Sequence, residues 1–343
     1  TILGFNSRVF VASFGYALFG VGVEYAGITA SKAIVKWFKG KEMALAMGMQ
    51  VAIARLGSFV PLAFGAKIAS MFNVTTPILF GFLFLIIGLF TFIVYNVLDK
   101  KLELETGEVQ DAASDEDKFK FSDLKVIFMN RGFWYIAILC VLFYSAVFPF
   151  YKYGPDLMVN KFGVSEKWAG LIPSLVPFGT IFLTPLFGSI YDRKGKGASI
   201  MILGSLILVV VHVIYFLPFI TSIWIAVVNA ILLGIGFSLV PSAMWPSVPK
   251  IIPEKQLGSA FATIFWVQNI GLWGIPLSVG IVLEKLNPGV AAAKKAGEAV
   301  SYDYTTTWLI FIALTVLAVV FALLLKREDR VKQYGLELPN IQE

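Results

Sequence analysis

Residues 76–98 read TPILFGFLFLIIGLFTFIVYNVL, a run without a single charged side chain. A bilayer core is crossed by about 20 apolar residues in a helix, so this stretch is a transmembrane span. A strand barrel would show alternating segments of about 10 residues instead. Working outward, eight further segments of the same kind appear at about 9–37, 42–69, 132–158, 168–191, 198–219, 222–249, 257–284 and 304–325. Gly and Pro are frequent inside them, as in helices that pack closely or bend within a membrane. The chain thus reads as an all-α integral membrane protein.

Composition agrees. Of 343 residues 58% are hydrophobic and 15% charged, against about 25% charged in soluble domains, and the mean hydropathy is +0.80. One cysteine, Cys140, and one histidine, His212, exclude a disulfide framework and the usual clustered metal sites. No nucleophile–base pair, metal cluster or phosphate loop is visible, so neither an enzyme nor a cofactor is expected. The net charge of +6 is not a nucleic-acid footprint, because the basic residues sit at the ends of apolar segments rather than on one soluble face.

Those basic residues set the orientation. The loops at 36–42, 99–131, 192–196 and 250–255 and the tail from Lys326 carry about 18 Lys and Arg, against about 7 on the opposite side. By the positive-inside rule the first set is cytoplasmic, and Thr1 lies outside. Residues 99–131, rich in both charge signs, read as a cytoplasmic linker with a short amphipathic piece at 121–128. The expected divisions are 1–98, the linker 99–131, a six-helix unit at 132–325 and a tail at 326–343. Nine spans with opposite termini is unusual for transporters built from paired repeats. Three further N-terminal spans would make twelve.

Ionisable groups at membrane depth are costly and mark function by default. Glu24 in GVGVEYAG and Arg55 in QVAIARLGS lie in the middle of two apolar helices joined around Lys39-Gly40-Lys41. Each is about 15 residues from that turn, hence roughly 23 Å from it at ~1.5 Å per residue. One acid and one base therefore sit at the same depth. They are either an ion pair that holds two helices together or the two ends of a clamp for a zwitterion, with Glu24 on the amine and Arg55 on the carboxylate. Direct contact would favour the pair, and a ligand-sized gap the clamp.

Other polar residues are less decisive. Gln268 and Asn269 in FWVQNIGLWG suit peptide groups, but amides also join helices. Trp245 lies among Pro241, Pro246 and Pro249, prolines expected to open the helix locally. It would line a pocket or belong to an interfacial belt. Lys152 and Asp156 are spaced for a local pair. Lys32 is close enough to the inner face to snorkel, Asn229 reads as helix glue, and His212 as a lining residue.

The segment GSIYDRKGKG, 188–197, contributes Gly188, Asp192, Arg193 and Gly195. Asp192 can take the dipole or a basic group of a neighbouring helix, Arg193 anchors the inner face, and the glycines allow a tight turn. This pattern resembles the helix-eight to helix-nine signature of the major facilitator superfamily. The three-plus-six layout around the linker fits that fold, with nine of its twelve helices present and the first three absent. WFKGKE at 37–42, ARLGS at 54–58, AVFPF at 146–150, MWPSVP at 244–249, PEKQLGSA at 253–260 and QNIGL at 268–272 are similar to the lysosomal dipeptide uniporter branch.

The resemblance implies that Glu24, Arg55 and Trp245 stand where that branch holds the peptide termini and lines the site. It implies a secondary transporter of short peptides, working by alternating access. Where many superfamily members carry an arginine before the helix-four G-x-G, this chain has Tyr16, so facilitated rather than proton-driven movement is expected. A chain without the first three helices would lack part of the substrate wall and would not transport by itself. Transport of organic anions, sugars or drugs is the near alternative, and a non-transport receptor or scaffold the distant one. The expected partners are a small peptide and the lipid bilayer. The sequence leaves open an accessory subunit and whether the membrane is a bacterial inner membrane or a lysosome-like one.

Overall fold

The computed structural model describes residues 7–38, 41–73, 75–106, 121–298 and 300–341. Lys39 and Gly40 of the expected turn, 107–120 of the expected linker and the outer position assigned to Thr1 fall outside the described residues. Eleven α-helices and three short 3-10 turns account for the regular structure among them. They are α1 (Ser7–Phe38), α2 (Met43–Met71), α3 (Thr76–Thr106), α4 (Phe121–Met129), α5 (Arg131–Phe162), α6 (Leu171–Lys194), α7 (Gly197–Phe216), α8 (Ile223–Ile251), α9 (Leu257–Leu286), α10 (Val290–Lys295) and α11 (Leu309–Lys332). All but α4 and α10 are long and apolar enough to cross a membrane, which makes nine candidate spans among the described residues.

Helices α5 to α9 and α11 form one body, in which α6 packs on α8, α8 on α7, α7 on α11, α11 on α5 and α5 on α9. Helix α2 lies along α6 and reaches α8, while α1 touches α2 and α9, and α3 packs on α2. Inside a bilayer, apolar burial does not drive helices together, so close packing at small residues must. The α2–α6 seam follows that rule. A Cβ on Gly48 would lie 2.9 Å from the Thr184 carbonyl oxygen, and one on Gly188 would run into the backbone of Ala44 and Leu45. Farther along, a Cβ on Gly170 would meet the Leu62 carbonyl at 3.1 Å. The two helices are therefore antiparallel and in contact from one end to the other.

The contact of α1 with α9 is one-sided. Gly258 faces Lys32, and Gly27 faces Phe265. Toward the other end of α1, Gly15, Gly20 and Gly22 have no described atom within 4 Å of a Cβ position. The lysine-rich end of α1 is tied to α3 instead, where Asp99 receives Lys36 Nζ at 3.1 Å and Trp37 Nε1 at 2.9 Å. Helix α3 accordingly continues to Thr106, beyond its apolar run.

Three local expectations are corrected. Helix α8 passes unbroken through Pro241, Pro246 and Pro249. It is packed by α2, α6 and α7, and neighbouring helices make prolines tolerable inside a membrane helix. Lys152 and Asp156 do not pair. Asp156 takes Lys294 at 3.2 Å and the Tyr304 hydroxyl, because a Lys placed N-terminal to its acid is the poorer orientation on a helix and α10 supplies a better-placed cation. His212 lines nothing: it is fully buried, with its ring 5.5 Å from that of Phe311. Asn229 does join helices, donating to the Val211 carbonyl at 3.0 Å.

The seam makes a direct prediction. Gly48→Val should destabilise the protein by about 1–3 kcal/mol through overpacking, read as a lowered melting temperature in detergent. Gly274→Ala, where a Cβ meets nothing within 4 Å, should leave it unchanged.

Candidate functional site

The register of α1 against α2 is marked by Gln50, whose amide donates to the Gly27 carbonyl at 3.5 Å and to Ser31 Oγ at 3.4 Å. Glu24 lies about one turn from Gly27 along α1, and Arg55 a little over one turn from Gln50 along α2, both away from the lysine-rich end. The acid and the base thus stand at matching depth. They do not touch: among the described residues no ion pair joins Arg55 to Glu24 or to any other carboxylate.

Arg55 is 7% exposed. Its guanidinium carbon lies 4.7 Å from the Phe237 ring centre and 5.2 Å from that of Phe148, with the Tyr144 hydroxyl beside it. Its Nε is buried without a hydrogen-bond partner among the described residues. Cation–π contacts are worth about 0.5–2 kcal/mol each. The effective penalty for removing an ion from water is several kcal/mol. Two rings therefore offset only part of the cost, and the cation remains in want of an anion.

An aromatic wall runs from Arg55 to Glu24. Tyr144 packs edge-on against Phe237 at 5.7 Å and accepts a hydrogen bond from Trp245 Nε1 at 3.1 Å. Trp245 stacks on Phe265 at 5.1 Å and tilts against Phe261 at 6.2 Å. The Phe265 carbonyl accepts from Asn269 Nδ2 at 3.0 Å, and the same amide donates to Glu24 Oε1 at 2.7 Å. The Glu24–Asn269 bond is the mid-depth link between α1 and α9.

The sequence-predicted residues thus divide. Glu24, Arg55, Trp245 and Asn269 belong to one continuous set of contacts. Trp245 is 8% exposed and inside the fold, not in an interfacial belt. Gln268 points away into α5, where the Cys140 thiol donates to its Oε1 at 3.5 Å. Sequence reasoning missed Tyr144, Phe148, Phe237 and Phe265. Two of them stood in stretches already singled out, Phe148 in AVFPF and Phe265 in FWVQNIGLWG.

The 188–197 segment is a second, separate assembly at the lysine-rich end. Asp192 Oδ1 accepts from Ala44 N at 2.9 Å and Oδ2 from Leu45 N at 2.7 Å. These are first-turn amides of α2, which have no partner inside their own helix. A carboxylate there also meets the positive end of the helix dipole. Gly188, one turn earlier, lets α2 come this close. Arg193 is exposed, and Gly195 adopts φ +69° where the chain leaves α6.

Comparison with known proteins places this geometry in context. Residues 1–275 match the Major Facilitator Superfamily. The chain is 31% identical over 287 residues to the lysosomal dipeptide transporter MFSD1 of Gallus gallus, covering 79% of this chain and 62% of that protein. It is 31% identical over 291 residues to the human protein of the same name, covering 82% and 61%. For that of Danio rerio the figures are 30% over 335 residues, 94% and 67%. The chain spans about three fifths of the length of the first two of these relatives. With nine candidate spans and a family match over most of its length, the chain is a multi-pass membrane protein that belongs to the major facilitator superfamily of transporters.

Proposed function

We propose that the protein is a secondary transporter of short peptides, dipeptides in particular, and that Arg55 and Glu24 hold the two peptide termini. The observation that carries this reading is the separation of a buried, uncompensated guanidinium from a carboxylate at the same depth. Arg55 would take the peptide carboxylate, and Glu24, steadied by Asn269, the amine. Trp245, Tyr144 and Phe265 would line the space for the side chains. Phe148 and Phe237 leave the guanidinium donors free to meet a carboxylate while excluding water from its faces. The relatives named as dipeptide transporters support the same substrate class.

In this reading residues 1–98 and 132–325 belong to two bundles joined by the 99–131 linker, and the bundles rock about a fixed central site. The lysine-rich end, taken as cytoplasmic, is closed by Asp192 on α2. The α1–α9 contact parts beyond Glu24, so the arrangement corresponds to the outward-facing half of the cycle. Movement is facilitated rather than proton-driven, in keeping with Tyr16 at the position discussed above.

The experiment is peptide uptake by the natural full-length protein reconstituted in liposomes. Saturable dipeptide uptake is expected, and its absence would overturn the reading. Losing one charge-assisted contact costs about 1.5–3 kcal/mol. Glu24→Gln and Arg55→Ala should therefore each reduce uptake by about tenfold to a hundredfold, and near-normal rates would return both residues to a structural role.

Competition separates the peptide reading from transport of other anions. Peptides blocked at either terminus should fail to compete, whereas a general anion carrier would tolerate a blocked amine. An imposed proton gradient should leave the final accumulation of dipeptide unchanged. Uphill accumulation would instead assign a coupling role to Glu24.

A further inference from the structure

We infer that the C-terminal segment after α11 is a working part of the closure at the lysine-rich end, with Asn340 the positioning residue that aims the Asp192 carboxylate at α2. The inference rests on the alternating-access reading above but not on the identity of the substrate.

Asn340 is devoted to Asp192. Its Nδ2 donates to Asp192 Oδ1 at 2.7 Å, the same oxygen that receives Ala44 N. Its backbone N–H donates to the Asp192 carbonyl at 3.0 Å, joined there by that of Ile341 at 3.2 Å. One carboxylate therefore bridges two partners 296 positions apart in sequence, Ala44 and Asn340.

The segment that delivers Asn340 is bound to the α6–α8 and α11 side. Lys196 N and Gly197 N donate to the carbonyls of Glu337 and Leu336, both at 2.9 Å. The Glu337 carboxylate accepts from Ser199 N at 2.9 Å and from Ser199 Oγ at 2.8 Å, and so caps the first turn of α7. Lys250 Nζ donates to the carbonyls of Gly335 and Leu338 at 2.9 and 3.0 Å. Asp329 Oδ1 receives Leu336 N at 3.0 Å. None of these anchors is on α2.

The glycines of the 188–197 signature fit this use. A Cβ on Gly195 would run into Glu337 and lie 2.6 Å from the Leu338 carbonyl carbon, and one on Gly197 would lie 2.8 Å from the Leu336 carbonyl oxygen. Gly188 makes room for α2, whereas Gly195 and Gly197 make room for the tail. Because the tail is fixed to the same body as Asp192, it stays with the carboxylate when α2 departs. It then holds the side chain in the rotamer that receives α2 on return. That preorganisation lowers the entropy lost on closing.

The test reads the closure without substrate, so its failure is distinct from failure of the peptide reading. In the natural full-length protein in nanodiscs, spin labels on Lys41→Cys and Lys194→Cys report the separation of the α2 and α6 ends by pulsed electron resonance. Asn340→Ala should raise the separated population about twofold to tenfold, the effect of leaving one side chain to be ordered on each closing. Asn340→Asp, which sets a second carboxylate against Asp192, should raise it further. In an Asp192→Ala background, which is itself open, Asn340→Ala should add nothing, because Asn340 acts through Asp192. Should Asn340→Ala fail to fold, truncation after Pro339 removes the same contacts. Wild-type separations in these variants would overturn the proposal. So would equal increments with and without Asp192, or an Asp192→Ala variant that stays closed.

Discussion

A guanidinium buried in the membrane interior without a carboxylate partner is the constraint around which the rest is arranged. Arg55 is 7% exposed and rests on two phenylalanine rings. Such a group is costly at this depth and is normally paired or placed on a substrate path. The molecule has a carboxylate on the adjacent helix at the same level and does not use it. Glu24 is turned instead to Asn269 on α9. Two opposite charges at one level are kept apart, with a run of aromatic contacts leading from one to the other; under the proposed function this is the site for a molecule with one charge at each end.

One of the two helices that carry the charges also takes part in the contacts at the lysine-rich end. Arg55 lies on α2, whose first-turn amides are capped by Asp192 of α6, and the glycine-lined seam lets α2 and α6 pack closely. Glu24 lies on α1, which meets α9 at Asn269. A change in how α2 sits on α6 therefore changes the distance between Arg55 and the wall formed by Tyr144 and Trp245. Under the proposed function, α2 links substrate grip to closure of the lysine-rich end.

Much of this was legible in the residues. The spans followed from apolar length, and the matching depth of Glu24 and Arg55 followed from helical rise. Asp192 was expected to take the dipole or a basic group of a neighbouring helix, and it meets the first-turn amides of α2. The aromatic wall was not legible. Thirty-one phenylalanines and twelve tyrosines give Phe237 or Tyr144 no local mark, and only packing between α2, α5, α8 and α9 selects them. Gln268 and Asn269 were equivalent as neighbours in sequence, but the 100° turn between adjacent helix positions sent one into α5 and the other to Glu24. The tail was hidden for another reason. LELPN at 336–340 looks like a solvated end, and its partners at Asp192, Lys196, Gly197 and Ser199 lie more than a hundred positions away. Lys152 and Asp156 show the converse error, in which a plausible local pair lost to a distant lysine.

The most direct measurement is a structure of the full-length protein with a dipeptide bound. The account requires the ligand carboxylate within about 3 Å of the Arg55 guanidinium, the ligand amine against Glu24 and Asn269, and the aromatic wall between them. A ligand seated elsewhere, or a Glu24 carboxylate swung onto Arg55 with no ligand between, would contradict it.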